Sequence, residues 1–64
     1  MTPIEWTCVC TKDLEFNNYQ FLKGHEYQVD IYPLFYKIYN NRGYNDYIFV
    51  DSEDDFNKNF KMIK

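Results

Sequence analysis

The sequence predicts one mainly β domain over residues 1–64, folded as a small antiparallel barrel or roll with a short C-terminal helix. Several runs alternate apolar and polar residues with the period of a strand. Asparagine and glycine residues, which favour turns, separate these runs. One Trp, seven Tyr and six Phe supply large apolar side chains with few rotatable bonds, which suit a chain too short for an extensive core.

Two strands are predicted in the first half of the chain, over 4–11 and 25–32, because both runs alternate. In the first strand, Trp6, Cys8 and Cys10 lie on one face. In the second strand, Tyr27, Val29 and Ile31 lie on an apolar face, and Glu26, Gln28 and Asp30 lie on the opposite, solvent-facing (wet) face. Between them, the polar segment 12–19 predicts a turn with Asn17-Asn18 near its end, and Gly24 stands where a positive φ is expected. Pro33 has no N–H for a ladder and should end the second strand.

A hairpin is predicted from 34–39 and 47–50, joined by a loop over 40–46 that contains several Asn residues and Gly43. Alternation places one set of side chains towards the core: Leu34, Tyr36, Ile38, Ile48 and Val50. It places a second set on the opposite face: Phe35, Tyr39, Tyr47 and Phe49.

A short helix is predicted after Asp51. Ser52, followed three residues later by Asp55, resembles a capping box with Asp in place of the usual Glu or Gln. Phe56, Phe60 and Ile63 then fall at helical spacing, so they are expected to form one stripe that closes the end of the barrel.

Charge and cysteine content limit the class of protein. The net charge of −3 makes nucleic acid an unlikely partner, because affinity for phosphates depends on basic side chains. Cys8 and Cys10 are two residues apart, in a geometry that resists a disulfide, so reduced thiols are expected. Since no segment resembles a signal peptide or a membrane span, the expectation is a cytoplasmic protein without membrane contact.

No catalytic, metal or cofactor site is predicted. Zinc would need about four ligands, and beside Cys8 and Cys10 there is one His, so these cysteines are interpreted as small buried side chains next to Trp6. His25 lacks a recognisable nucleophile or acid partner and is interpreted as a surface turn residue. Gly24 and Gly43 form no phosphate-binding loop. The protein is therefore not expected to be an enzyme.

The candidate partner-binding residues form two groups. The outward aromatic side chains Phe35, Tyr39, Tyr47 and Phe49 would make an exposed apolar patch of the kind that marks interaction sites, unless the helix or barrel curvature covers them. The acidic residues Asp51, Glu53, Asp54 and Asp55 could dock a basic partner, or could simply complement the helix dipole.

The order of these elements resembles that of small SH3-like barrel proteins encoded by phages and prophages. The resemblance lies in Trp6–Thr11, in Phe21-x-x-Gly24-x-x-Tyr27-x-Val29, and in the hairpin that ends Tyr47-Ile48-Phe49-Val50-Asp51. It implies a non-enzymatic phage or mobile-element protein that binds and inhibits a bacterial host protein in the host cytoplasm. The A-L-Y-D-Y signature of signalling SH3 domains is absent, so polyproline recognition is not implied.

Three further interpretations stay open at this point. Aromatic residues on a small barrel could stack unpaired bases, which would make the protein a nucleic-acid-binding module, although Lys37 and Arg42 are the basic residues near the predicted face. The acidic surface could mimic DNA and block a nucleic-acid-binding enzyme. A homodimer is also compatible with so small and aromatic a chain.

Overall fold

Antiparallel pairing organises most of the chain. The computed structural model describes residues 2–40 and 45–64. The elements in these residues are β1 Ile4–Cys10, β2 Leu14–Phe16, β3 Tyr19–Phe21, β4 Glu26–Ile31, β5 Tyr36–Tyr39, β6 Tyr47–Val50, α1 Glu53–Asn59 and β7 Phe60–Met62. The mainly β prediction is confirmed, and the arrangement is compatible with a small barrel or roll.

The main sheet has the order β6-β5-β4-β1-β7, and β2 and β3 pair with each other as a separate hairpin. Register fixes which side chains share a face: Ile48 lies opposite Ile38, and Ile38 lies opposite Val29. The buried core is formed by Cys8, Cys10, Phe21, Val29, Ile38, Ile48, Phe56 and Phe60. The predicted inward direction of Ile38 and Ile48 is therefore confirmed.

The β2–β3 hairpin corrects the prediction of a plain turn over 12–19. Asn17 and Asn18 both have positive φ, 51° and 69°, as the two central residues of a tight type I′ hairpin turn require. Each strand has three residues, too few to show an alternating pattern. Phe21 nevertheless enters the core, where its ring lies 4.9 Å from that of Tyr27 and 5.4 Å from that of Phe60.

The C-terminal segment is helical for a shorter distance than the spacing predicted. Ser52 caps α1 by accepting a hydrogen bond from the Asp55 N–H, and Phe60 is already extended, with φ −136°. Phe60 then pairs opposite Cys10 as the start of β7. Phe56 and Phe60 are buried as expected, but Ile63 is 45% exposed, because it directly follows β7 and the alternation of that strand, with Phe60 buried and Lys61 exposed, gives it the outward direction. No helix in the described residues is long and apolar enough to cross a membrane.

Two predicted inward residues are exposed. Leu34 is 85% exposed because β5 begins only at Tyr36 and Leu34 lies in the bend after Pro33. Trp6 is 43% exposed, and the pairing of β1 with β7 runs from Cys8 to Cys10 without reaching Trp6. The cysteines are therefore buried without a buried Trp beside them. Gly24 has φ 85°, as predicted, and β4 ends before Pro33. Part of the predicted loop, 41–44 with Arg42 and Gly43, lies outside the described residues.

Candidate functional site

The outer face of the β5–β6 hairpin gathers the predicted aromatic residues. Lys37 lies opposite Phe49, and Tyr39 lies opposite Tyr47. Because Ile38 and Ile48 between them point into the core, these two pairs point to the other side of the sheet. Phe49 is 50% exposed and Tyr47 38% exposed, whereas Tyr39 is partly buried.

The aromatic rings on this face form one continuous row. The ring of Phe35 lies 5.3 Å from that of Phe49, which lies 5.4 Å from that of Tyr47, and Tyr47 lies 6.1 Å from Tyr39. All three contacts are edge-to-face, the geometry that ring quadrupoles favour. Tyr32 extends the row, stacked 4.6 Å from Phe35. These five rings are called the aromatic face below, and the structure brings all four predicted aromatic residues into it.

Lys37 lies within the aromatic face. Its Nζ is 4.1 Å from the ring centre of Tyr47 and 5.1 Å from that of Tyr39. Both distances fall within the range of cation–π attraction. The ammonium group therefore attracts both rings from one position between them.

A buried carboxylate fixes one end of the aromatic face. Asp30 belongs to the predicted wet face of β4, yet it is only 6% exposed. Its Oδ2 accepts a 2.7 Å hydrogen bond from the Tyr39 hydroxyl, and its Oδ1 accepts one of 3.3 Å from Gln28. Gln28 also donates to Glu5 at 3.3 Å. The hydrogen bond to Asp30, followed by burial and the negative charge of Asp30, raises the pKa of Tyr39.

Sequence reasoning missed this network because a β-strand pattern assigns a face but does not say what covers it. Asp30 and Tyr39 are nine residues apart and meet only because β4 and β5 pair with Asp30 opposite Lys37. A signal was present in the strand pairing, since Tyr39 stands two residues beyond Lys37 on the same face and can reach diagonally.

The acidic segment, Asp51, Glu53, Asp54 and Asp55, is exposed throughout. Part of it has a structural role: Glu53, Asp54 and Asp55 lie in the first turn of α1, where negative charge complements the helix dipole. Asp55 lies 3.2 Å from the ammonium group of Lys58. Within residues 2–40 and 45–64, Asp51, Glu53 and Asp54 form no ion pair. The helix-dipole interpretation therefore applies to Glu53, Asp54 and Asp55, and docking of a basic partner stays a prediction.

A groove of about 310 Å³ lies between β2 and β6, beside the acidic segment. Leu14 and Phe16 of β2 form one wall, and Ile48, Phe49 and Val50 of β6 form the other. Asp51, Asp55, Lys58, Asn59 and Phe60 complete its lining. The sequence did not indicate this groove, because segment 12–19 was interpreted as a turn and β2 was not foreseen.

The cysteines are poorly suited to nucleophilic chemistry. Burial, with the neighbouring Cys10, raises the pKa of the Cys8 thiol to about 12, and burial also raises that of Cys10. Both thiols therefore remain protonated near neutral pH. His25 is exposed in the turn after Gly24. The described part of the chain contains no group of three His, Cys, Asp or Glu residues that could hold a metal ion.

Comparisons with known proteins identify no relative of this chain. No protein-family model matches it, and neither the curated proteins nor the solved structures include a significant match. The chemistry of the aromatic face, the acidic segment and the groove is therefore the basis for assigning a function.

Proposed function

We propose that the protein is a non-enzymatic module that binds another protein through the aromatic face, with the acidic segment as an electrostatic rim. The observation that supports this best is the unbroken row of ring contacts from Tyr32 to Tyr39 on the outer side of the sheet, with Phe49 half exposed at its centre. Exposed apolar patches with a polar rim are typical of interaction surfaces.

The aromatic face is suited to binding because its side chains are held in place before a partner arrives. The Tyr39 hydroxyl is bonded to Asp30, and Lys37 lies over Tyr47. Side chains that are already ordered lose less conformational entropy on binding. Large rings at the centre of such a patch usually contribute most of the binding energy.

Charge indicates the kind of partner. The net charge of −3 favours a partner with a basic surface and would speed its association. The exposed carboxylates of Asp51, Glu53 and Asp54, which form no ion pair with the described residues, add to this preference. The resemblance to phage and prophage proteins suggests that this partner is a bacterial host protein. Inhibition would then follow from occlusion of the partner's surface, which needs no chemistry from this chain.

A nucleic-acid-binding module is the second candidate, because the exposed rings of Tyr47 and Phe49 could stack on bases. The charges of the described residues argue against it. Lys37 is the cation among these rings, and its ammonium group is already engaged with Tyr39 and Tyr47. A nucleic-acid partner would give binding that weakens steeply with salt.

Affinity capture from bacterial lysate with and without nuclease, followed by titration of the purified captured protein, tests the proposal. The double variant Tyr47→Ala/Phe49→Ala should weaken binding by about 2 kcal/mol or more, roughly 30-fold. Leu34→Ala, which removes an exposed side chain outside the row of ring contacts, is the matched control and should bind as the wild type does. Circular dichroism would establish that both variants fold.

Three outcomes contradict the proposal in different ways. Equal binding by the wild type and the double variant would exclude the aromatic face. Capture that disappears with nuclease would favour the nucleic-acid module. If DNA competed for the same captured protein, the acidic surface would be acting as a DNA mimic.

A further inference from the structure

We infer that the outer edge of β6 binds an extended, basic peptide segment of the partner as an additional strand, with alternate side chains entering the groove beside β2. This inference rests on the proposed function and names the chemistry of its partner. Peptides commonly bind an exposed sheet edge in this way, through main-chain hydrogen bonds and pockets for alternate side chains.

Backbone hydrogen bonds show which groups β6 presents at its edge. The Asn40 N–H donates to the Asp46 carbonyl at 2.7 Å, which continues the register of β5 and β6. Bonded and non-bonded pairs alternate in an antiparallel ladder. In this hairpin Ile48 and Val50 are therefore hydrogen-bonded to their partners in β5. Tyr47 and Phe49 direct their N–H and carbonyl groups away from β5.

A second hydrogen bond gives the same assignment independently. The Tyr32 N–H donates to the Phe35 carbonyl at 3.0 Å, in register with the pairing of β4 and β5. The alternation then makes Lys37 a bonded partner of Asp30. Lys37 therefore directs its backbone groups towards β4, and Phe49 opposite it must direct its own away from the sheet.

This edge has no partner strand in the part of the chain that the structure describes. β6 is the first strand of the sheet, and β2 pairs only with β3. The groove separates β6 from β2. A strand added at about 4.8 Å from β6 would turn alternate side chains towards Leu14 and Phe16, and its remaining side chains would extend the aromatic face beside Tyr47 and Phe49.

The charge of the groove favours a basic peptide as the added strand. Asp51 lines the groove and is exposed, and it is not among the described ion pairs, whereas Asp55 in the same lining is paired with Lys58. A Lys or Arg in the added strand would compensate the Asp51 carboxylate. A second copy of this chain fits less well, because each copy carries a net charge of −3 and the pair would bring like charges together.

The first test uses the ¹⁵N-labelled protein and two synthetic peptide probes, acetyl-KVTVKVTVK-amide and its acidic counterpart acetyl-EVTVEVTVE-amide. The basic probe should shift the amide resonances of Tyr47 and Phe49 more than those of Ile48 and Val50, and it should bind about tenfold or more tightly than the acidic probe. Equal binding of the two probes, or shifts confined to other strands, would overturn the inference.

N-methylation of the basic probe tests strand addition without altering the protein. One probe carries N-methyl groups on the backbone amides of its odd-numbered residues, and the other carries them on those of its even-numbered residues. An added strand directs only one set of its amides towards β6, so one methylated probe should bind as the parent does and the other should lose affinity about tenfold or more. Equal effects of the two methylation patterns would exclude a strand-like mode.

A matched pair of protein variants separates backbone from side chain. Tyr47→Pro and Tyr47→Ala both remove the ring, but only proline removes the outward N–H, and proline is tolerated at the first residue of an edge strand. Tyr47→Pro should bind the basic probe about tenfold or more weakly than Tyr47→Ala does. Equal affinity of the two folded variants would contradict the inference.

The outcomes also separate this inference from the proposed function. If the purified partner is lost with Tyr47→Ala/Phe49→Ala but the basic probe fails to bind, strand addition is wrong and the aromatic face remains the binding surface. If partner binding is also insensitive to the double variant, both are wrong.

Discussion

Two aromatic clusters lie on opposite sides of the sheet, and they differ in what covers them. In the core, Phe21 lies 5.4 Å from Phe60, and Phe60 lies 5.6 Å from Phe56. All three are buried in one cluster with side chains of β1, β4, β5 and β6. On the aromatic face, ring distances are similar, yet Tyr47 and Phe49 remain exposed. Similar ring contacts therefore lie within the core on one side of the sheet and form a partly exposed aromatic surface on the other.

The largest expected effect is on the core cluster. Phe56→Ala removes a ring that is only 1% exposed and leaves a cavity next to Tyr36 and Phe60, so it should cost about 3–5 kcal/mol of the free energy of unfolding. A domain of this size has little more than that to lose. Urea denaturation followed by circular dichroism measures the loss, and a variant as stable as the wild type would show that α1 does not close the core.

The same ring-to-methyl change on the aromatic face should separate stability from binding. Phe49→Ala should cost about 1 kcal/mol of the free energy of unfolding, less than Phe56→Ala. The half-exposed ring gives up its edge-to-face contacts but only a small buried area. Denaturation of the two variants side by side gives the comparison. A cost for Phe49→Ala equal to that of Phe56→Ala would mean that the outer row is a second core instead of a surface.

Tyr39→Phe tests the polar anchor of the aromatic face. It keeps the ring but leaves the buried Asp30 carboxylate without its 2.7 Å donor, which should cost about 1–3 kcal/mol. The measurement is again the unfolding free energy, with Tyr47→Phe as the control because Tyr47 is exposed. Unchanged stability of Tyr39→Phe would show that solvent replaces the hydroxyl without cost.

The raised pKa of Tyr39 adds a pH dependence with a defined sign. The folded state favours the neutral phenol, so this contribution is fully present below the unfolded pKa of about 10 and is lost as the pH rises from there towards the higher folded value. Ultraviolet titration of the folded protein should show tyrosine ionisation that continues above the unfolded pKa. Tyr39→Phe should remove part of this late ionisation, whereas the contribution of Tyr19, whose pKa burial and Asp46 also raise, should remain.

The smallest expected effect is at the rim. Asp55→Asn removes the ion pair with Lys58 but keeps the backbone N–H that Ser52 caps. Because both side chains are exposed, the unfolding free energy should change by less than about 0.5 kcal/mol, with Ser52→Ala, which removes the cap, costing about 1 kcal/mol. A larger cost for Asp55→Asn than for Ser52→Ala would make this carboxylate structurally more important than the cap.

Sequence patterns determined the features that depend on local periodicity. Alternation placed Ile38 and Ile48 inside and Tyr47 and Phe49 outside, because a strand sends successive side chains to opposite faces whatever surrounds it. Ser52 caps α1 and Gly24 adopts a positive φ as predicted, since both depend on the chemistry of neighbouring residues.

Only the tertiary structure decided what covers each face and which separate segments meet. The hydrogen bond between Tyr39 and Asp30, the groove between β2 and β6, and the exposure of Trp6 and Ile63 all depend on the packing and pairing of distant strands. Periodicity assigns a side chain to a face, but burial depends on the neighbours that the fold brings to that face. The candidate residues could therefore be predicted from the sequence, whereas their assembly into a row of rings beside an open sheet edge could not.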